Sequence, residues 1–351
     1  MSGQNPSLQN RNIQWRFLAG LALSLLLLYF AFRQTDWGQM WTLFQAADRG
    51  LLLAAFFLNL LGLILRAGRW RLLFWRQEEL PFSAFLDSVN IGYLVNNLFP
   101  VRLGDVVRSI LLGRWLDLGA ARAFSATVIE RVLDSGIVLL LFFSLFLVLP
   151  LPPFALNLGL TMALAVTLAI GLMLLALWQQ ERAEKWLRAL LDRIPFVRTE
   201  TWLERIMGLI RGFGALRRGG VLLPFFGWSV IVWAQTVFAF WLTMRAFDAE
   251  VSFGLAALAT AAAALGLAAP SAPAGLGTFE AAVIGALLLS GMEENLARSM
   301  AIALHFTSFI ALNFAGFFSL IKRGIGYRHL VELAGQREPN AGHPAGPSSA
   351  P

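Results

Sequence analysis

The chain has 351 residues, 58% of them hydrophobic and 14% charged, with a formal charge of +7 and no cysteine. That apolar weight places it among polytopic membrane proteins. The missing cysteine excludes disulfides, thiolate nucleophiles, iron–sulfur clusters and cysteine-ligated zinc. Its arginines are spread along the chain rather than gathered in one soluble domain, which argues against a nucleic-acid partner.

Taken in chain order, residues 1–16 read as a cytoplasmic N-terminal segment without a cleavable signal, and 17–334 as one transmembrane domain. Full spans are expected at Phe17–Phe32, Leu51–Leu65, Ala123–Leu149, Phe154–Trp178, Val221–Phe247 and Leu296–Ile321. The first is short for a hydrocarbon core of ~30 Å, so Trp15 would anchor it at the interface. Between the spans lie two interrupted segments, Phe82–Leu112 and Phe253–Leu289. The stretch 179–220 mixes charged residues with Trp186, Leu187, Leu190 and Leu191 at helical spacing. It reads either as amphipathic helices on the inner leaflet, drawn to anionic lipids, or as a solvated connector. Residues 335–351 are rich in Pro, Gly, Ser and Ala, and the sequence predicts a disordered cytoplasmic tail.

Charge placement sets the orientation. With both termini cytoplasmic, most Lys and Arg fall on that side, and only Arg33, Arg49, Arg245 and Arg298 on the other. This is the positive-inside bias, and it supports cytoplasmic termini; the expected location is the bacterial inner membrane.

The two interrupted segments share the pattern Pro-x-x-Leu-Gly. The first reads Asn96-Asn97-Leu98-Phe99-Pro100-Val101-Arg102-Leu103-Gly104-Asp105; the second runs from Pro270 through Pro273, Gly275 and Gly277 to Glu280. Open backbone at membrane depth is tolerated only where protein or a water-filled cavity satisfies its polar groups. Paired breaks in two halves of a chain point to a transporter's binding site. With the orientation above, the first hairpin opens from the cytoplasmic side and the second from the other. The expected fold is therefore all-α: a polytopic bundle with two re-entrant hairpins arranged as an inverted repeat.

Ionisable groups at membrane depth are costly and mark functional positions. Here they are Arg102, Asp105, Arg108, Glu130, Arg131, Asp134, Glu280 and His305. Arg102, Arg108 and Arg131, with backbone N–H groups near Gly104 and Gly277, form the expected headgroup site, since half-helix N-termini attract phosphate. Asn96, Asn97, Asp105 and Glu280 serve either as polar or coupling groups or as caps holding the breaks open. Glu130, Arg131 and Asp134 form either a functional cluster or a self-neutralising trio, with Arg131 and Asp134 close enough on one face to pair. Pro100, Pro270, Pro273 and Gly275 are read as architecture, and His305 as a packed polar residue. No nucleotide loop, dinucleotide fingerprint, nucleophile motif or histidine-rich metal site is present, so neither a cofactor nor a catalytic residue is expected.

Together, Asn96-Asn97-x-x-Pro100-x-Arg102-x-Gly104-Asp105-x-x-Arg108, Glu130-Arg131-x-x-Asp134 and Pro270-x-x-Pro273-x-Gly275-Leu276-Gly277-x-x-Glu280 resemble the lysylphosphatidylglycerol synthase transmembrane-region family, also called the flippase-like domain family. Where that domain is fused to an aminoacyl-transferase, the resemblance implies movement of the aminoacylated lipid between leaflets. No such domain is expected here. Asp105 stands where many relatives carry Glu, and Ala274 where Gly is common. The expectation is a lipid transporter without enzymatic activity, with a membrane lipid as substrate. A second copy of the chain, or a lipid-synthesis enzyme, is an open partner. The rival readings are a membrane-embedded lipid-modifying enzyme and a non-catalytic lipid-binding scaffold.

Overall fold

The structure is a computed structural model that describes residues 22, 25–33, 35–74, 80–99, 103–145, 153–193, 199–212, 220–248, 250–268 and 272–326. Among these residues every regular element is helical. In order they are α1 (25–32), α2 (Trp37–Ala46), α3 (Arg49–Leu72), α4 (Phe82–Leu98), α5 (Gly104–Trp115), α6 (Ala120–Leu145) and α7 (Pro153–Trp178). There follow α8 (Gln180–Leu191), α9 (Thr199–Gly212), α10 (Leu222–Arg245), α11 (Phe253–Ala268), a 3-10 turn at Pro273–Gly275, α12 (Thr278–Leu289) and α13 (Glu294–Arg323).

Among the described residues three helices are long and apolar enough to cross a membrane: α3, α10 from Leu223 onward, and α13. Helices α6 and α7 have 26 residues each, about 39 Å at 1.5 Å per residue. Large apolar side chains such as Phe57, Leu164, Leu172, Phe306 and Ile321 remain exposed on the outer faces. On long helices such a belt suits lipid as the surrounding solvent.

Local chemistry sets the helix ends. The Asp36 and Asp48 carboxylates each accept two backbone N–H bonds and so start α2 and α3. Asp48 is followed by an apolar run that carries α3 to Leu72, seven residues beyond the span expected to end at Leu65. Helix α2 was not foreseen; it fills the link between the first two spans. At the other end of the chain Gly324, with φ 64°, closes α13 in the left-handed conformation that glycine adopts without penalty.

Both sequence breaks interrupt the helix. Helix α4 stops at Leu98, and Phe99 is extended at φ −116°, ψ 147°, the conformation favoured ahead of a proline. In the second segment Ala274, Gly275 and Gly277 all have positive φ. After each break a 12-residue helix, α5 or α12, packs back along its predecessor. Gly104 permits the first return: a Cβ there would lie 1.8 Å from the Gly92 carbonyl oxygen.

Helices α3 and α10 each have 24 residues and start and end 173 positions apart (49 and 222; 72 and 245), the shift that also separates Gly104 from Gly277. They run antiparallel. The Trp228 indole donates to the Leu65 carbonyl at 2.7 Å, the Gln235 amide to Leu58 at 2.9 Å, and the Asp48 N–H to Ala246 at 2.9 Å. The remaining packing is reciprocal. Helix α4 lies against α13 and α11 against α6; α5 packs on α6 as α12 packs on α13.

The 179–220 stretch contains two amphipathic helices. Leu191 of α8 meets Leu203, Met207 and Ile210 of α9, and α9 rests on α6. Trp178, Trp186, Leu190 and Trp202 stay exposed. The tail expected at 335–351 and the N-terminal segment 1–16 lie outside the described residues.

Candidate functional site

Five polar side chains of α5 and α6 and one of α3 converge where these helices meet α10. Glu130, 1% exposed, accepts from Arg69 at 2.7 Å through one carboxylate oxygen and from Arg108 at 3.0 Å through the other. Arg69, equally buried, turns its other nitrogen to Asp134 at 2.5 Å and also donates to the Ser229 hydroxyl at 3.2 Å. Asp134 is further held by the Trp233 indole N–H at 3.0 Å. Arg108 stacks over the Trp70 ring at 4.8 Å, and its Nε lies 3.3 Å from Asp105. Arg131 completes the set with a two-pronged bond to Asp105, Nε at 3.0 Å and the terminal nitrogen at 2.6 Å.

Three arginines thus face three carboxylates, and the cluster is neutral as a whole. Charges this deep persist only with such pairing, because removing an ion from water costs several kcal/mol. Exposure is graded. Arg69, Arg108 and Glu130 are sealed, whereas Asp134 keeps 14%, Asp105 18% and Arg131 36% of side-chain surface accessible. The open edge is therefore the Asp105–Arg131 pair, at the start of α5 and next to the first break.

A second polar centre lies in the other half of the chain. Glu280, in the first turn of α12, accepts from the Gly277 N–H at 2.7 Å with one oxygen. Its other oxygen meets Nδ1 of His305 on α13 at 2.6 Å. The imidazole rests against Phe279 with ring centres 4.5 Å apart. In the first break the equivalent cap is Asn96, whose side-chain oxygen accepts from the Gly104 N–H at 2.8 Å. The 3-10 turn of the second break packs on α4, so the broken part of one segment touches the helix that leads into the other.

A third group joins α4 to α13: buried Asp87 accepts from Lys322 at 3.1 Å and from Arg323 at 2.6 Å, and Ser319 bridges Asp87 and Asn90.

With that geometry in view, the family described as the lysylphosphatidylglycerol synthase TM region matches residues 17–316. The chain belongs to this family. It is also similar to a protein described as a UPF0104 membrane protein from Methanothermobacter thermautotrophicus, with 24% identity over 276 residues, 75% of this chain and 80% of the relative. No solved structure matches the chain.

Within this family member, the residues singled out from sequence fall into three sets. Asp105, Arg108, Glu130, Arg131 and Asp134 come together in one network. Asn96, Gly104, Gly277 and Glu280 are at the breaks, where the two backbone donors expected to greet a headgroup are occupied by Asn96 and Glu280. The side-chain amide nitrogen of Asn97 is buried without a hydrogen-bond partner. Pro273 and Gly275 shape the 3-10 turn. Arg102, Pro100 and Pro270 lie outside the described residues.

The expected Arg131–Asp134 pairing is corrected. Arg131 reaches back to α5 and Asp134 is held by Arg69 from α3, because the two side chains leave α6 toward different neighbours. His305, expected only to pack, is paired with Glu280. Arg69 was missed: at the end of an apolar helix it read as one more positive-inside charge, and nothing local reveals that it turns inward. Trp233, Ser229 and Asp87 were missed too, since nothing in their own stretches of sequence marks them as partners of a distant charge.

Proposed function

We propose that the protein is an integral inner-membrane lipid transporter that moves a phosphate-bearing lipid between leaflets at the Asp105–Arg131 edge of the buried network. The observation that carries this reading is the graded exposure of that network, which leaves one two-pronged arginine–carboxylate pair accessible beside a helix break. The guanidinium fork fits two phosphate oxygens as well as it fits two carboxylate oxygens. A headgroup phosphate takes the place of Asp105 on Arg131 while Glu130 keeps Arg69 and Arg108 fixed behind it. Arg102, in the same break, is assigned to the headgroup path from sequence. The acyl chains stay in the bilayer, where they are already in apolar surroundings.

Alternating access follows from an inverted repeat of two units, each made of a long helix, a re-entrant hairpin and a closing helix. The shared shift of 173 positions, the antiparallel α3–α10 pair and the reciprocal packing of α4 on α13 and α11 on α6 support it. Helices α5 and α12 support the hairpins: 12 residues give about 18 Å, short of the ~30 Å core. Rocking of one unit against the other exposes Arg131 to each leaflet in turn. Both termini face the cytoplasm, and the exposed tryptophans of α8 and α9 rest on an anionic inner leaflet.

Purified protein in liposomes carrying a fluorescent phospholipid tests the reading. Wild type accelerates exchange between leaflets, and Arg131→Ala and Arg102→Ala slow it at least tenfold. Unchanged exchange in Arg131→Ala removes the assigned site.

A further inference from the structure

We infer that Glu280 and His305 form a buried proton-binding site that couples lipid movement to the proton gradient. The coupling half of this inference rests on the transport reading above; the proton site does not. Three observations carry it. Both side chains are nearly sealed, at 6% and 11% exposure, and meet at 2.6 Å. Glu280 already has an ionised carboxylate's partners, the Gly277 N–H and the positive end of α12. Finally, among the described residues, the charges on the elements packed around the pair are engaged elsewhere or stand at helix ends.

Helix α11 and the 3-10 turn carry no ionisable residue, α2 carries none, and α12 carries only Glu280. On α3, Arg69 is bound to Glu130 and Asp134, Arg66 to Thr236 beside the Tyr93 ring of α4, and Arg49 and Arg71 stand at the two ends. Arg245 of α10 stacks on Trp241. Asp87 of α4 is held by Lys322 and Arg323, about 26 Å along α13 from His305 at 1.5 Å per residue. On α13 itself Arg298 is paired with Glu294 and donates to the Ala31 carbonyl, about 10 Å from His305 by the same rise.

With a neutral imidazole the pair carries one net negative charge in an apolar setting. Taking up one proton on the free ring nitrogen makes an imidazolium–carboxylate pair of zero net charge, with Nδ1–H donating to Glu280. No other atom changes hands: the proton comes from water on one side and returns to water on the other. The bond to the ionised carboxylate is charge-assisted in both states, and the added proton turns it into an ion pair, which attracts more strongly in a site of low dielectric. Protonation therefore tightens α13 onto the cap of the second break, and proton release weakens the tie between α13 and Glu280 while the Gly277 N–H stays bound.

Two measurements on the full chain decide the matter. In nanodiscs, with His329→Asn and His343→Asn leaving one labelled histidine, nitrogen NMR reads the imidazole from about pH 5 to about pH 9, the range in which histidine ordinarily changes charge. The inference expects His305 to pass from charged to neutral in that range, with the charged fraction near pH 6 falling at least fivefold in Glu280→Gln and largely retained in Glu280→Asp. An imidazole that keeps one state throughout, or one indifferent to Glu280→Gln, overturns it. In liposomes, an imposed pH gradient speeds lipid exchange several-fold in wild type and has no effect in His305→Gln. Exchange that proceeds in wild type but ignores the gradient overturns the coupling and leaves the transporter standing. A titrating His305 with no lipid exchange at all sinks the transporter and leaves the proton site.

Discussion

Glu130 is the hub of the arginine network because both its oxygens are used and neither is replaceable by water. Glu130→Gln keeps the shape but leaves Arg69 and Arg108 facing a neutral amide in a sealed site. Breaking a buried pair in this way costs about 3–5 kcal/mol, so the variant should denature at markedly lower temperature in detergent micelles. A melting temperature equal to wild type would show that the pair is hydrated rather than sealed. Ala274 makes the opposite case. Its φ of 60° is a conformation that costs a residue with a Cβ about 1–2 kcal/mol. Ala274→Gly should therefore raise stability, by less than that amount because glycine also loses more chain entropy. A lowered melting temperature would mean that the Ala274 methyl packs usefully. The sequence pointed to Ala274 only as a departure from the glycine common in the family; its backbone angle supplies the reason it is a departure.

At the level of elements, the two helix–break–helix units owe their shape to residues that lack a side chain. Gly104 sits 1.8 Å from a Gly92 oxygen once a Cβ is imagined on it, and Gly316 of α13 would place one 2.4 Å from Leu94 of α4. Gly104→Ala must push α5 off α4, a form of overpacking that typically costs about 1–3 kcal/mol. It also tilts Asp105 away from Arg131. The expected result is lower thermal stability together with slower lipid exchange; a change in neither would mean that α4 and α5 are not in close contact in the bilayer. Both interruptions of the helix were legible because Pro and Gly act within a few residues of themselves. The spacing of Trp186, Leu187, Leu190 and Leu191 left amphipathic helices and a solvated connector open for 179–220; the structure has the helices α8 and α9 there. Helix α2 was not legible, since Trp37–Ala46 is an apolar decamer whose helicity depends on the Asp36 cap and on packing against α13.

For the molecule as a whole, the absence of native cysteine makes sidedness directly measurable. Single cysteines at Glu184 and Asp248 should react with a membrane-impermeant thiol reagent from opposite faces of intact inverted vesicles, Glu184→Cys from the cytoplasmic face. Labelling of both from one face would refute the orientation. Hydropathy, the positions of proline and glycine and the bias of Lys and Arg were enough, from sequence alone, to establish an all-helical membrane protein with two interrupted segments. They suffice because each is a property of a short stretch of chain in contact with lipid, water or itself. Which charges meet was decided only by the tertiary structure. Arg69 and Asp134 are 65 residues apart in the chain, and Glu280 and His305 are 25 apart. An arginine at a helix end looks the same in sequence whether it faces headgroups or a buried carboxylate. Packing of α3, α5, α6 and α10 turned it inward, where a low dielectric requires each charge to find its opposite.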